Sequence, residues 1–169
     1  MNFAPSVNAQ MTITNTTISN NGTGATGGGI FIRPTGTGSA RVTLKNVRLQ
    51  NNANDALRID TTASTGTGAT VMIEDSQFLS SVNGIIAVSP AATPAVSVML
   101  TDSLIALNGT NGISASGAGT TLRVGNTTIT ANNNGVTIAG GATVNSYEDN
   151  RLDGNFANGV FTAPEILKK

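Results

Sequence analysis

The carboxylates that could act together are Glu74, Asp75, Asp102, Glu148 and Asp149. Asp75 and Asp102 share one position of an internal repeat and are expected on adjacent layers, about 5 Å apart. Two carboxylates that close either repel or share a cation such as Ca²⁺. The plainer reading is that each stands in for Asn at a backbone bend and accepts N–H bonds. The other members of the same column, all Asn or Asp, favour it. The chain has no His and no Cys. That removes the commonest general base, every Ser-His or Cys-His nucleophile and any thiolate zinc site. The expectation is no catalytic residue, no metal and no cofactor.

A second set, Lys45, Arg48, Glu74 and Gln77, falls on outward positions of neighbouring repeats and forms the candidate ligand-binding patch. Lys45 and Glu74 are expected as an exposed ion pair, which adds little stability. A polar groove of this kind suits an extended glycan. An aromatic platform for sugar stacking is missing, because there is no Trp and the single Tyr, Tyr147, falls in an inward column. Phe31 and Ile86 point outward with Arg58 between them, and Met72 and Met99 point outward on another face. Packing beneath long loops is the simpler account of both.

Nine Lys+Arg balance nine Asp+Glu, and only 11% of residues are charged. A nucleic-acid binder needs a basic face, which this chain lacks. No apolar run approaches membrane-spanning length, so no membrane insertion is expected. No signal peptide is visible.

These side chains are positioned by a repeat. One Asn or Asp anchors each unit: Asn15, Asn46, Asp75, Asp102, Asn126 and Asp149, at spacings of 31, 29, 27, 24 and 23 residues. Three residues on come Ile18, Leu49, Phe78, Ile105, Ile129 and Leu152. Two before come Ile13, Leu44, Ile73, Leu100, Val124 and Tyr147. Four before come Met11, Val42, Val71, Val98, Leu122 and then Asn145, the one failure. Six after come Asn21, Asn52, Ser81, Asn108, Asn132 and Asn155. Each unit then carries a block such as Gly112-Ile113-Ser114-Ala115, followed by a tract of variable length rich in Gly, Thr, Ser and Ala.

Within a unit, apolar residues alternate with polar ones in three short stretches, the period of a strand with one buried face. A unit of this size cannot bury its own apolar face. Stacking on its neighbours does so, and gives each backbone group a partner in the next layer. Asn tolerates the left-handed backbone of a sharp bend, and stacked Asn side chains can hydrogen-bond along the axis. The fold class expected is all-β: a right-handed parallel β-helix of about six coils, three short strands per coil. Residues 1–10 form an N-terminal segment or thin cap, 11–162 the β-helix, and 163–169 a C-terminal tail or cap.

The pattern apolar-x-apolar-x-Asn/Asp-x-x-apolar-x-x-Asn, then Gly-apolar-x-apolar, resembles the right-handed parallel β-helix repeat proteins of the pectate-lyase-like superfamily. The ending from Gly141 to Asn155 is similar to the last coils of bacterial secreted or cell-surface members, many without an assigned activity. The resemblance implies a secreted or surface location. It also implies two enzymatic precedents. Polysaccharide lyases use Asp-held Ca²⁺ with an Arg base, and polygalacturonases use clustered Asp with a nearby His. This chain lacks the His, and its Arg residues show no lyase-like Arg-x-Pro-x-x-Arg spacing. The function expected is a non-catalytic structural or surface-presenting solenoid, acting in adhesion or glycan contact. The alternative is a polysaccharide lyase-like or degenerate carbohydrate-active enzyme.

Solenoid ends need capping. Phe3 and Val7 are the apolar plugs available at the N-terminus. Ile166 and Leu167 are expected to fold over the last layer, with Lys168 and Lys169 deterring edge pairing. The thin N-terminal cap predicts self-association through the first coil, or attachment to upstream coils. Four glycosylation sequons, at Asn15, Asn21, Asn108 and Asn126, fall on ladder columns and read as by-products of an Asn/Thr-rich repeat.

Overall fold

The computed structural model describes residues 1–23 and 27–167. Lys168 and Lys169, expected to deter edge pairing, lie outside the described residues. The strands in chain order are β1 (Asn2–Phe3), β2 (Ala9–Ser19), β3 (Gly28–Ile32), β4 (Ser39–Gln50), β5 (Asp55–Asp60), β6 (Gly68–Glu74), β7 (Gln77–Leu79), β8 (Asn83–Val88), β9 (Ala95–Thr101), β10 (Leu104–Ala106), β11 (Asn111–Ser116), β12 (Thr120–Gly125), β13 (Thr128–Thr130), β14 (Asn134–Ala139), β15 (Thr143–Ser146) and β16 (Arg151–Leu152). All pairings between them are parallel, and they join residues one repeat apart. The chain is therefore a β-solenoid, of about five turns.

Three faces enclose the core. One is the sheet β1-β3-β5-β8-β11-β14. The other two share a second sheet that folds at the repeat anchor. The first part of β4 pairs with β6, and the last part pairs with β7. The fold line is where Asn15, Asn46, Asp75, Asp102 and Asn126 adopt positive φ, between 44° and 53°. The anchor column thus makes the corner, because Asn and Asp enter the left-handed region at low cost.

The register places Ile18, Leu49, Phe78, Ile105, Ile129 and Leu152 in one continuous internal row. Leu49, Phe78, Ile105 and Ile129 are fully buried. Two further rows run Ile30, Leu57, Ile85, Ile113, Val136 and Ile32, Ile59, Ala87, Ala115, Ile138. Inner residues of the middle coils have an equivalent above and below, so the core is a set of stacked columns.

In the last coil the gap-free columns fail. Leu122 pairs with Val144, Val124 with Ser146, and Thr128 with Arg151. The stretch from 146 to 151 is one residue longer than its counterpart, 124 to 128. Val144 and Ser146 point inward, where the repeat pattern alone put Asn145 and Tyr147. Tyr147 therefore aligns with Gly125 on the outside. The left-handed residue of the last corner is Glu148, φ 66°, instead of Asp149.

A buried polar ladder runs beside the core. Asn52, Ser81, Asn108 and Asn132 are 2%, 6%, 2% and 3% exposed. Each backbone N–H in the column donates to the side-chain oxygen one coil on: Asn52 N to Ser81 Oγ (3.2 Å), Ser81 N to Asn108 Oδ1 (3.1 Å), Asn108 N to Asn132 Oδ1 (3.1 Å) and Asn132 N to Asn155 Oδ1 (3.0 Å). Asn158 ends the ladder by accepting from Asn155 N at 3.1 Å. Gly112, the second residue of β11, is glycine because a Cβ there would lie 2.7 Å from Gly135 O and 2.9 Å from Asn132 Nδ2. The ladder and the next coil leave room only for hydrogen.

The ends differ. Phe3 packs against the core, but Val7 is 68% exposed and plugs nothing. Strand β2 bonds only β4 among the described strands. At the other end the tail covers β15: Thr162 N donates to Val144 O (2.7 Å) and Ile166 N to Ser146 O (2.8 Å). Phe161 packs against the core there, while Leu167 is 71% exposed and does not fold over it. The tail docks through backbone bonds that set its path, so its apolar side chains face where that path leaves them.

Candidate functional site

The corner made by the anchor residues runs the length of the solenoid and carries two shallow hollows. The first, about 310 Å³, is lined by residues that include Asn15, Thr17, Asn46, Arg48, Asp75 and Gln77. Two of the four patch residues expected from sequence, Arg48 and Gln77, are thus brought together, as neighbours in register. Lys45 and Glu74 stand beside them and bond each other, Nζ to Oε2 at 2.9 Å. That bond, and then the charge of Glu74, raise the Lys45 pKa above its ordinary value. Both side chains remain about half exposed.

The second hollow, about 580 Å³, opens further along the same corner. Tyr147, Gly125, Thr101, Asp102, Asn126 and Asp149 line it. Sequence reasoning missed this site, because it needed Tyr147 on the outside. The failed column at Asn145 was the signal that could have found it.

Asp102, on this corner, has a structural partner. Asn126 Nδ2 donates to Asp102 Oδ1 at 2.6 Å, just as Asn46 Nδ2 donates to Asn15 Oδ1 at 2.8 Å. Asp75 and Asp102 occupy equivalent bend positions on adjacent coils, at φ 52° and 53°. Among the described residues, no three or more His, Cys, Asp or Glu converge as a metal-ligand set. One position on from the anchor is a hydroxyl ladder that the mixed residue types concealed. Val47 N donates to Ser76 Oγ and Ser76 N to Ser103 Oγ, each at 3.1 Å, and Thr127 N donates to Asn150 Oδ1 at 2.9 Å.

A third hollow, about 730 Å³, lies on the opposite sheet around Phe31, Arg33 and Arg58. The register runs Phe31, Arg58, Ile86, so these do share one outward row. Ile86 is nonetheless only 9% exposed. The guanidinium carbons of Arg33 and Arg58 lie 5.0 and 5.7 Å from the Phe31 ring centre. Arg58 also bonds Asp60 at 2.9 Å and meets Asp55 at 3.5 Å, and Arg33 Nε donates to Asn2 Oδ1 at 2.9 Å. Burial pushes the Asp60 pKa up, but bonds from the Thr62 hydroxyl and amide, with Arg58, outweigh it and hold the group below its ordinary value. Asp55 also starts a side-chain ladder, accepting from Asn83, which accepts from Asn111, both at 2.8 Å. The charges here are largely engaged with one another.

A family model described as "Right handed beta helix region" matches residues 6–163. No curated protein and no solved structure matches the chain.

Proposed function

Because the chain belongs to the right-handed β-helix region family, we propose that it is a non-catalytic, surface-presenting solenoid that contacts an extended glycan along its anchor corner. One observation carries this reading. Two outward rows run along the axis there at the coil spacing: the bend residues, and the row Thr17, Arg48, Gln77, Leu104, Thr128, Arg151. Donors and acceptors repeated every ~4.8 Å, interrupted in the second row at Leu104, suit a polymer lying across the strands. Asp75 and Asp102 both shape the bend, and Asp102 also accepts from Asn126, which favours presentation over catalysis. The setting consistent with this role is outside the cell or on its surface.

The test is affinity electrophoresis through gels holding soluble polysaccharides, paired with a Ca²⁺-supplemented assay for the ultraviolet absorbance of unsaturated uronate products. Retardation without product, weakened in Arg48→Ala, is expected. Product formation, or retardation indifferent to Arg48, overturns the proposal.

A further inference from the structure

The hollow around Tyr147 has features that the rest of the corner lacks. Tyr147 belongs to the outward row Thr14, Lys45, Glu74, Thr101, Gly125, and only Gly125 in that row has no side chain. A Cβ on Gly125 would stand 3.3 Å from Tyr147 Cδ2, 3.7 Å from Asp149 Oδ1 and 3.8 Å from Thr101 Cγ2. The missing side chain therefore opens the hollow and lets the phenol lie beside bare backbone. The main chain that carries the ring is fixed to the coil below, because Tyr147 N donates to Val124 O at 3.0 Å. It is half-buried, so part of it faces the hollow. The polar residues Asp102, Asn126 and Asp149 line the same hollow, with Met99 beside them.

We infer that this hollow is a subsite for one neutral pyranose unit, stacked on Tyr147. A pyranose has an apolar C–H face and a rim of hydroxyls. An aromatic ring meets the first, and side-chain acceptors on an adjacent wall meet the second. Two lining carboxylates favour hydroxyl donors and oppose a uronate, whose own carboxylate would approach like charge. The inference rests on the glycan-contact reading of the corner and names the class of sugar that the subsite takes.

The chain has one Tyr and no Trp, so tyrosine emission of the full chain reports on this ring. The titrants are hexamers of α-1,4-linked glucose, β-1,4-linked glucose and α-1,4-linked galacturonate. A neutral hexamer should change the emission saturably, and the uronate should not. By calorimetry, Tyr147→Phe should bind within about twofold of the parent, while Tyr147→Ala should lose roughly five- to tenfold, the worth of one aromatic contact. If Tyr147→Ala folds poorly, Gly125→Ala fills the hollow instead and should weaken binding while the ring stays. No saturable response to either neutral hexamer, unchanged affinity in Tyr147→Ala, or a preference for uronate overturns the subsite. Polysaccharide retardation that still depends on Arg48 but ignores Tyr147 would remove the subsite and leave the corner reading. Loss of both would remove both.

Discussion

Replacing Asn108 by Ala tests whether the internal ladder holds the coils together. Asn108 is 2% exposed. Its Oδ1 accepts from Ser81 N at 3.1 Å, and its Nδ2 donates to Asn132 Oδ1 at 2.9 Å and to Phe78 O at 3.2 Å. Truncation strands the Ser81 N–H in the interior, at a cost of about 1–3 kcal/mol. The two lost donor bonds add about 0.5–1.5 kcal/mol each, although Asn132 Oδ1 keeps the Asn108 backbone N–H. The sum is about 2–6 kcal/mol, centred near 4, or roughly 8–16 °C in melting temperature for a chain of this size. The matched control is Asn21→Ala at the exposed end of the same ladder, where Nδ2 donates to Asn52 Oδ1 at 3.1 Å and to Ser19 O at 2.9 Å in contact with water. Its loss should be under about 1 kcal/mol. Asn108→Asp keeps an acceptor for Ser81 N and removes both donors, which separates the two roles. Urea denaturation followed by far-ultraviolet circular dichroism measures all three. Equal midpoints for Asn108→Ala and Asn21→Ala would refute the ladder argument.

Two further perturbations follow from the corners and from the charged hollow. Leu107 sits at φ 61° with its side chain 61% exposed, in the bend column that Asn20 and Asn51 begin. Leu107→Asn should therefore stabilise the fold by about 0.5–1 kcal/mol, because Asn tolerates that backbone and little apolar burial is lost; a lower melting temperature would contradict it. Asp60 has a folded-state pKa below the ordinary 3.8, so the stability it contributes is present above the unfolded value and is lost as pH falls through the folded value. Asp60→Asn should flatten that acid limb relative to the parent and lower stability at neutral pH; an unchanged acid limb would show that the Thr62 and Arg58 bonds do not hold the carboxylate.

The winding of the chain was legible in its residues, since apolar alternation at period two and the recurrence of Ile18, Leu49, Phe78, Ile105, Ile129 and Leu152 leave stacking as the way to bury all three faces. The Lys45 and Glu74 pairing and the Asn108 column were legible for the same reason: equal offsets in equal coils lie over one another. What tertiary structure alone decided is the last coil and therefore the subsite. Ser146 and Tyr147 differ in hydropathy in the direction that misleads, and an inserted residue reverses which of them faces in. Hydrogen bonding between coils sets that register, with Val144 and Ser146 aligned on Leu122 and Val124, so a polar Ser is buried and the only Tyr is turned out. The left-handed bends at Leu107 and Ala131 were equally hidden, because there the stacked geometry of neighbouring coils overrides the local preference of the residue.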